Sequence, residues 1–112
     1  MENVEKYRNI IINFMQEQAK IRSNRTNVET QFIKDDAGGH YQLVNLGFNK
    51  GRRIYGCFLH IDLKPDGKVW IQHDGTDLGV AAILNDLGIS KADIVLGFYQ
   101  PKYRSYTGFS AA

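Results

Sequence analysis

Three histidines, His40, His60 and His73, together with Asp62, Cys57 and the single tryptophan Trp70, are the residues whose types could do chemistry in this chain. His60 and Asp62 stand two positions apart, so on a strand they share one face. A carboxylate beside an imidazole can orient the ring for general-base work. Such a pair more often serves to place a strand, and that reading is favoured. A metal site needs ligands that converge in space. The sequence has no H-x-x-H, no H-E-x-x-H and no Cys/His cluster, so no metal and no cofactor are expected, and no catalytic residue is assigned. His73-Asp74-Gly75-Thr76-Asp77 offers one glycine ahead of a helix and two carboxylates that would repel an anion. It therefore reads as a capped turn, not a phosphate cradle. No serine sits in a G-x-S-x-G elbow. Cys57 falls mid-strand on the expected core face, where a thiol packs instead of reacting. One cysteine also excludes an internal disulfide framework and a cysteine-based zinc site.

Basic residues gather at two places. Lys50, Arg52 and Arg53 surround one turn, and Lys102 and Arg104 stand among the aromatics of the C-terminal tail. Nucleic-acid binders interleave cations and rings in this way. Yet 14 Lys and Arg against 12 Asp and Glu leave a net charge of only +2, too balanced to argue DNA contact from charge. No recognition-helix pattern accompanies the clusters. The chain has 112 residues, with 43% hydrophobic and 23% charged. Those values predict one globular domain, residues 1–112, and exclude a disordered chain. No apolar run is long enough to span a membrane, and no signal peptide is legible, so a cytoplasmic protein is expected.

The elements that must position these residues follow from periodicity. Val4, Tyr7, Ile11, Phe14 and Ile21 recur at helical spacing, which predicts a long amphipathic helix over about Asn3 to Arg22, ending near Ser23-Asn24. Strands are predicted for Val28 to Asp35, His40 to Phe48, Arg52 to Lys64 and Lys68 to His73. Turns separate them at Asp36-Ala37-Gly38-Gly39, Asn49-Lys50-Gly51 and Pro65-Asp66-Gly67. In the second strand the apolar residues change parity between Leu43 and Val44, which implies a bulge or burial on both faces. A shorter helix carries Val80, Ile83, Leu84 and Leu87, with Thr76 as N-cap and Gly88 past its end. Ser90 to Asp93 reads as a capping turn. Ile94-Val95-Leu96 is either a buried strand or a helical turn. The fold class predicted is α+β: two helices on a roughly four-stranded antiparallel meander.

In the third strand Tyr55, Cys57, Leu59, Ile61 and Leu63 make the expected core face. Its other face, with His60, joins Trp70 and Gln72 of the fourth strand. A half-apolar face of this kind is expected to be covered by the tail or by a second copy of the chain, which predicts a homo-oligomer. The candidate interaction residues are His60, Trp70 and Gln72 on that face, and Tyr103, Arg104, Tyr106 and Phe109 in the tail. Aromatics and Arg dominate interface energies.

Four blocks carry a resemblance: YRNII, HYQLVNLGF, HIDLKPDGKVWIQHDGT, and LGISKADIVLGFYQP followed by YRSYTGFSAA. In this order they resemble the XisI-like family, named for an fdxN element excision controlling factor, over nearly the whole chain. Phe48 stands where the family pattern has tryptophan, Gly97 where it has alanine, and Gly108 where it has an acidic residue. The resemblance implies an accessory, non-enzymatic factor in programmed DNA-element excision of the kind seen in nitrogen-fixing cyanobacteria. A site-specific recombinase does the cutting there. The implied partner is an XisH-like protein encoded nearby, itself similar to PD-(D/E)xK nucleases. An antitoxin-like regulator of such a nuclease, and a direct DNA-binding module, are the alternatives that the resemblance leaves open.

Overall fold

In the computed structural model, residues 2–23 and 27–111 are described. Helix α1 spans Glu2–Ser23. Strands β1 (Val28–Asp35), β2 (His40–Asn49), β3 (Arg52–Leu63) and β4 (Val69–Asp74) follow. Then come helix α2 (Val80–Asp86), a 3₁₀ turn at Lys91–Asp93, strand β5 (Ile94–Leu96) and the short helix α3 (Pro101–Arg104). The architecture is α+β, as expected. The sheet has five strands in the order β1-β2-β3-β4-β5. Neighbours from β1 to β4 are antiparallel, while β5 runs parallel to β4. The fifth strand resolves the ambiguity at Ile94-Val95-Leu96. Ile94 and Val95 are fully buried, and the connection through α2 is long enough to return the chain parallel to β4.

One cluster forms the core. Tyr7, Ile11, Phe14 and Met15 of α1 meet Tyr41, Leu43, Leu59, Ile61, Leu63, Val69 and Ile71 of the sheet, with Val80, Leu84, Ile89 and Ile94 closing one end. The apolar stripe of α1 stops short of Ile21, which is 37% exposed. The helix end is tied to β1 instead, because Ser23 Oγ donates to Thr30 O and accepts from Thr30 N, each at 3.1 Å. Asn24, the other half of the expected stop, lies outside the described residues.

The expected core face of β3 is only half right. Leu59, Ile61 and Leu63 are buried, but Tyr55 is 73% exposed and Cys57 is exposed too. The cause is a bulge. Leu43 pairs with Leu59 and Val44 with Cys57, so Phe58 is the extra residue. One inserted residue reverses which parity faces the core. Phe58 itself packs against the core beneath the Arg22 guanidinium, 4.9 Å from its ring centroid. The parity change at Leu43/Val44 in β2 sits opposite this irregularity.

Thr76 is not the cap of α2, whose N-cap is Gly79 in a left-handed conformation. The Asp74 carboxylate organises that end. It accepts from Thr76 N at 2.9 Å and Thr76 Oγ1 at 2.6 Å, and its other oxygen accepts from Val80 N at 3.2 Å. Gly88 does follow the C-cap residue Leu87, and Ser90 Oγ accepts from Ala92 N at 3.3 Å, as the capping pattern predicted. Among the described residues, no helix is long and apolar enough to cross a membrane.

Candidate functional site

The site is assembled where β2, β3 and β4 present the sheet face opposite α1. Asp62 on β3 pairs in register with His40 on β2 and with Trp70 on β4. Its side chain is about 10% exposed. His40 Nδ1 lies 2.8 Å from Asp62 Oδ1, and His60 Nε2 lies 2.9 Å from the same oxygen. An ionised carboxylate can only accept, so each ring presents its N–H there. Gln72 Nε2 donates to the second oxygen at 3.1 Å. Burial pushes the Asp62 carboxyl up, but the hydrogen bonds from His40, His60 and Gln72 outweigh it and hold the group below its ordinary value.

The His40 ring is fixed from its other side by the β1–β2 turn. A Cβ at Gly38 would come within 2.8 Å of His40 Cδ2 and 3.1 Å of Nε2, so the missing side chain gives the ring room. Gly39, at φ +72°, completes the turn, donating to Asp35 O and accepting from Leu63 N, each at 2.8 Å. The turn thus stitches the start of β2 to the end of β3 and holds His40 over Asp62.

Beyond Gln72 the surface continues to the tail. The Arg104 guanidinium lies 4.9 Å from the Trp70 ring centroid, and Lys64 Nζ lies 5.8 Å from the same ring. Arg104 is held there by Nε donating to Tyr99 O at 3.1 Å and Nη2 donating to Gly97 O at 3.4 Å. Tyr103 and Tyr106, with Leu96, Tyr99 and Thr107, line an open cleft of about 540 Å³. Among the described residues Tyr106 is the most exposed large hydrophobic residue, at 83%.

The structure therefore brings His60, Trp70, Gln72 and Arg104 onto one face, while Tyr103 and Tyr106 line a cleft of their own on the tail. Phe109 is placed apart from both. Phe109 packs against the core with Lys91 Nζ 5.7 Å from its ring, next to Ser110, whose N–H donates to Ile94 O at 2.8 Å. His40 is the member that sequence reasoning left at a strand end, and His73 stays outside the cluster. Cys57 is exposed as a residue, yet its thiol donates to Leu59 O at 3.3 Å, and burial of the group raises its pKa. That is the opposite of an activated thiolate. Neither the cleft at Tyr103 and Tyr106 nor the two near α1 are lined by His60 or Asp62.

A second aromatic and basic group stands at the far end of the β2–β3 hairpin. Arg53 lies 5.2 Å from the Phe48 ring and 5.9 Å from that of Tyr55. The basic turn was visible in the sequence. That Tyr55 turns away from the core was not, because the bulge at Phe58 decides which parity of β3 the core takes.

The fold and this surface define a small α+β protein whose polar and aromatic residues gather on an open sheet face. The chain belongs to the XisI family: the profile of that family, described as XisI protein, matches residues 1–111. The crystal structure of a XisI-like protein from Anabaena variabilis is similar at 37% identity and a TM-score of 0.88, covering 97% of this chain and 99% of that one. The crystal structure of fdxN element excision controlling factor XisI from the same organism is similar at 26% identity and a TM-score of 0.82, covering 98% and 99%. No curated protein matches the chain.

Proposed function

We propose that this protein is a non-enzymatic controlling factor for excision of a DNA element by a site-specific recombinase, acting by binding an XisH-like protein encoded nearby. One observation carries the mode of action. Arg104 of the tail stacks over Trp70 of β4, and Tyr103 and Tyr106 of the same tail line an open cleft; these are residue types that anchor interfaces. Membership of a family with a member named as a controlling factor supports the biological setting. The protein acts as one XisI-like domain in the cytoplasm, where the chromosome is. Phe109 serves this surface indirectly, by anchoring the tail that carries Arg104 and Tyr106.

The test is co-purification of the untagged protein with its XisH-like neighbour, followed by mass determination. A stoichiometric complex is expected. Trp70→Ala and Tyr106→Ala should each weaken it by at least ~10-fold, since truncating a central aromatic anchor costs about 2 kcal/mol or more. A lone chain, or a complex indifferent to both substitutions, would reject the reading. The specific alternative is an antitoxin-like role, favoured if the complex forms and the nuclease activity of the partner falls in it.

A further inference from the structure

The acidic and imidazole groups of the sheet face have a geometry that partner binding does not require. His40 Nδ1, His60 Nε2 and a carboxylate oxygen of Asp62 all lie within 4.8 Å of one another. They come from two adjacent strands and converge on one point of the face. Bonds of ~2.0–2.1 Å from imidazole and carboxylate to a zinc-class ion place neighbouring ligand atoms ~2.9 Å apart at right angles and about 3.4 Å apart in a tetrahedron. The two nitrogens stand 2.8 and 2.9 Å from Asp62 Oδ1, close to the right-angle spacing.

Three further features fit coordination. The ligand set is two imidazoles and one carboxylate, which suits Zn²⁺, Co²⁺, Ni²⁺ or Fe²⁺ over Mg²⁺ or Ca²⁺. Asp62 points one oxygen at the histidines while Gln72 Nε2 donates to the other, the outer-shell contact that fixes a monodentate carboxylate. The face is open on the solvent side, with the His40 and His60 side chains 55% and 30% exposed, so an ion has an entry path.

We propose that His40, His60 and Asp62 form a three-ligand site for a divalent transition-metal ion of the zinc class, closed by the sheet and open to solvent. Three protein ligands leave at least one position for water or for an incoming donor group. The site lies beside Trp70, whose strand position pairs with Asp62.

The full chain, stripped with EDTA, is titrated with Zn²⁺ alone by calorimetry and with Co²⁺ alone by visible absorption. About one ion per chain is expected, with a Co²⁺ ligand-field band reporting imidazole and carboxylate ligation. His40→Ala and His60→Ala should each weaken binding at least ~10-fold and bleach that band. Both rings reach solvent and Asp62 keeps its bond to Gln72, so these variants are expected to fold, with circular dichroism as the check. Asp86→Ala, at the end of α2 and outside the three-ligand group, should bind like the parent. Absence of saturable binding by the parent chain overturns the proposal. So does binding that survives both ligand substitutions, or that is lost with Asp86; either result leaves the cluster as a hydrogen-bonded set only.

Discussion

At the scale of single residues, Asp62 does the most. It is a nearly buried carboxylate that accepts from His40, His60 and Gln72, and those bonds lower its pKa despite burial. A carboxyl whose folded pKa lies below its unfolded value of ~3.9 gives stability that is complete above that value. The contribution is lost as pH falls through the lowered folded value. Asp62→Asn should therefore destabilise the protein at pH 7 by roughly 1–3 kcal/mol, because a neutral amide oxygen replaces the charged acceptor of His40 and His60 and its NH2 meets the Gln72 Nε2 donor. It should also flatten the acid limb of a stability curve below about pH 4. Urea titrations of the two proteins from pH 7 to pH 2.5 measure both effects. An acid limb identical to the parent's would place the titration elsewhere. Part of this site was legible in advance. His60 and Asp62 two apart on a strand, with Trp70 and Gln72 on the next, follow from strand periodicity alone. His40 was not legible, and the reason is a register. A two-residue hairpin closing at Lys50-Gly51 without a bulge would set His40 opposite Ile61, on the wrong face. The extra residue Phe58 shifts the pairing by one and sets His40 opposite Asp62.

At the scale of elements, the β2–β3 hairpin sets that register, and its turn carries a local cost. Lys50 at φ +52° is the single non-glycine residue with positive φ among the described residues, followed by Gly51 at φ +79°. Both central residues left-handed is the type I′ geometry, whose twist suits antiparallel strands and which favours Asn-Gly. Lysine bears a steric penalty there that asparagine largely avoids. Lys50→Asn should stabilise the protein by about 0.5–1 kcal/mol and raise the melting temperature by a few degrees, read by calorimetry. A fall in melting temperature would mean that Lys50 makes a compensating contact. The turn itself was readable, as were α1, the four antiparallel strands and the C-terminal glycine of α2, because each has a local signal. The parallel β5 was not. Three apolar residues carry no period that separates strand from helix. Only the partner strand decides, here Val69-Trp70-Ile71. The α2 start was misplaced for a related reason. Asp74 caps from six residues upstream of Val80 through a turn, a reach that a search for an adjacent N-cap does not cover.

At the scale of the whole molecule, the hairpin extends beyond what the core covers. The Cα radius of gyration is 14.6 Å and the principal extents are 43 × 30 × 24 Å. A globular chain of this length would have a radius near ~13 Å, so the molecule is elongated. Phe48 at 57% and Tyr55 at 73% exposure project together at the hairpin end, two exposed rings on either side of Arg53. Exposed apolar residues in one region mark association surfaces more often than chance does. β1 is also an edge of the sheet, and an eight-residue edge invites pairing with another chain unless something covers it. Charge supports contact too, since Arg53 over the Phe48 and Tyr55 rings shields a cation among aromatics that a partner could desolvate. The homo-oligomer expected from the sequence is best placed here, away from the Trp70 and Arg104 surface, so that self-association and partner binding need not compete. The expected outcome is a mass of two chains or more by light scattering at micromolar concentration. Tyr55→Glu should reduce it to one chain while leaving the melting temperature of the monomer close to that of the dissociated parent, because Tyr55 packs against nothing in the core. A parent mass of one chain at all concentrations would leave this arm for a different protein. A Tyr55→Glu oligomer of unchanged size would move the self-contact to the Trp70 face, and self-association and partner binding would then compete for one surface.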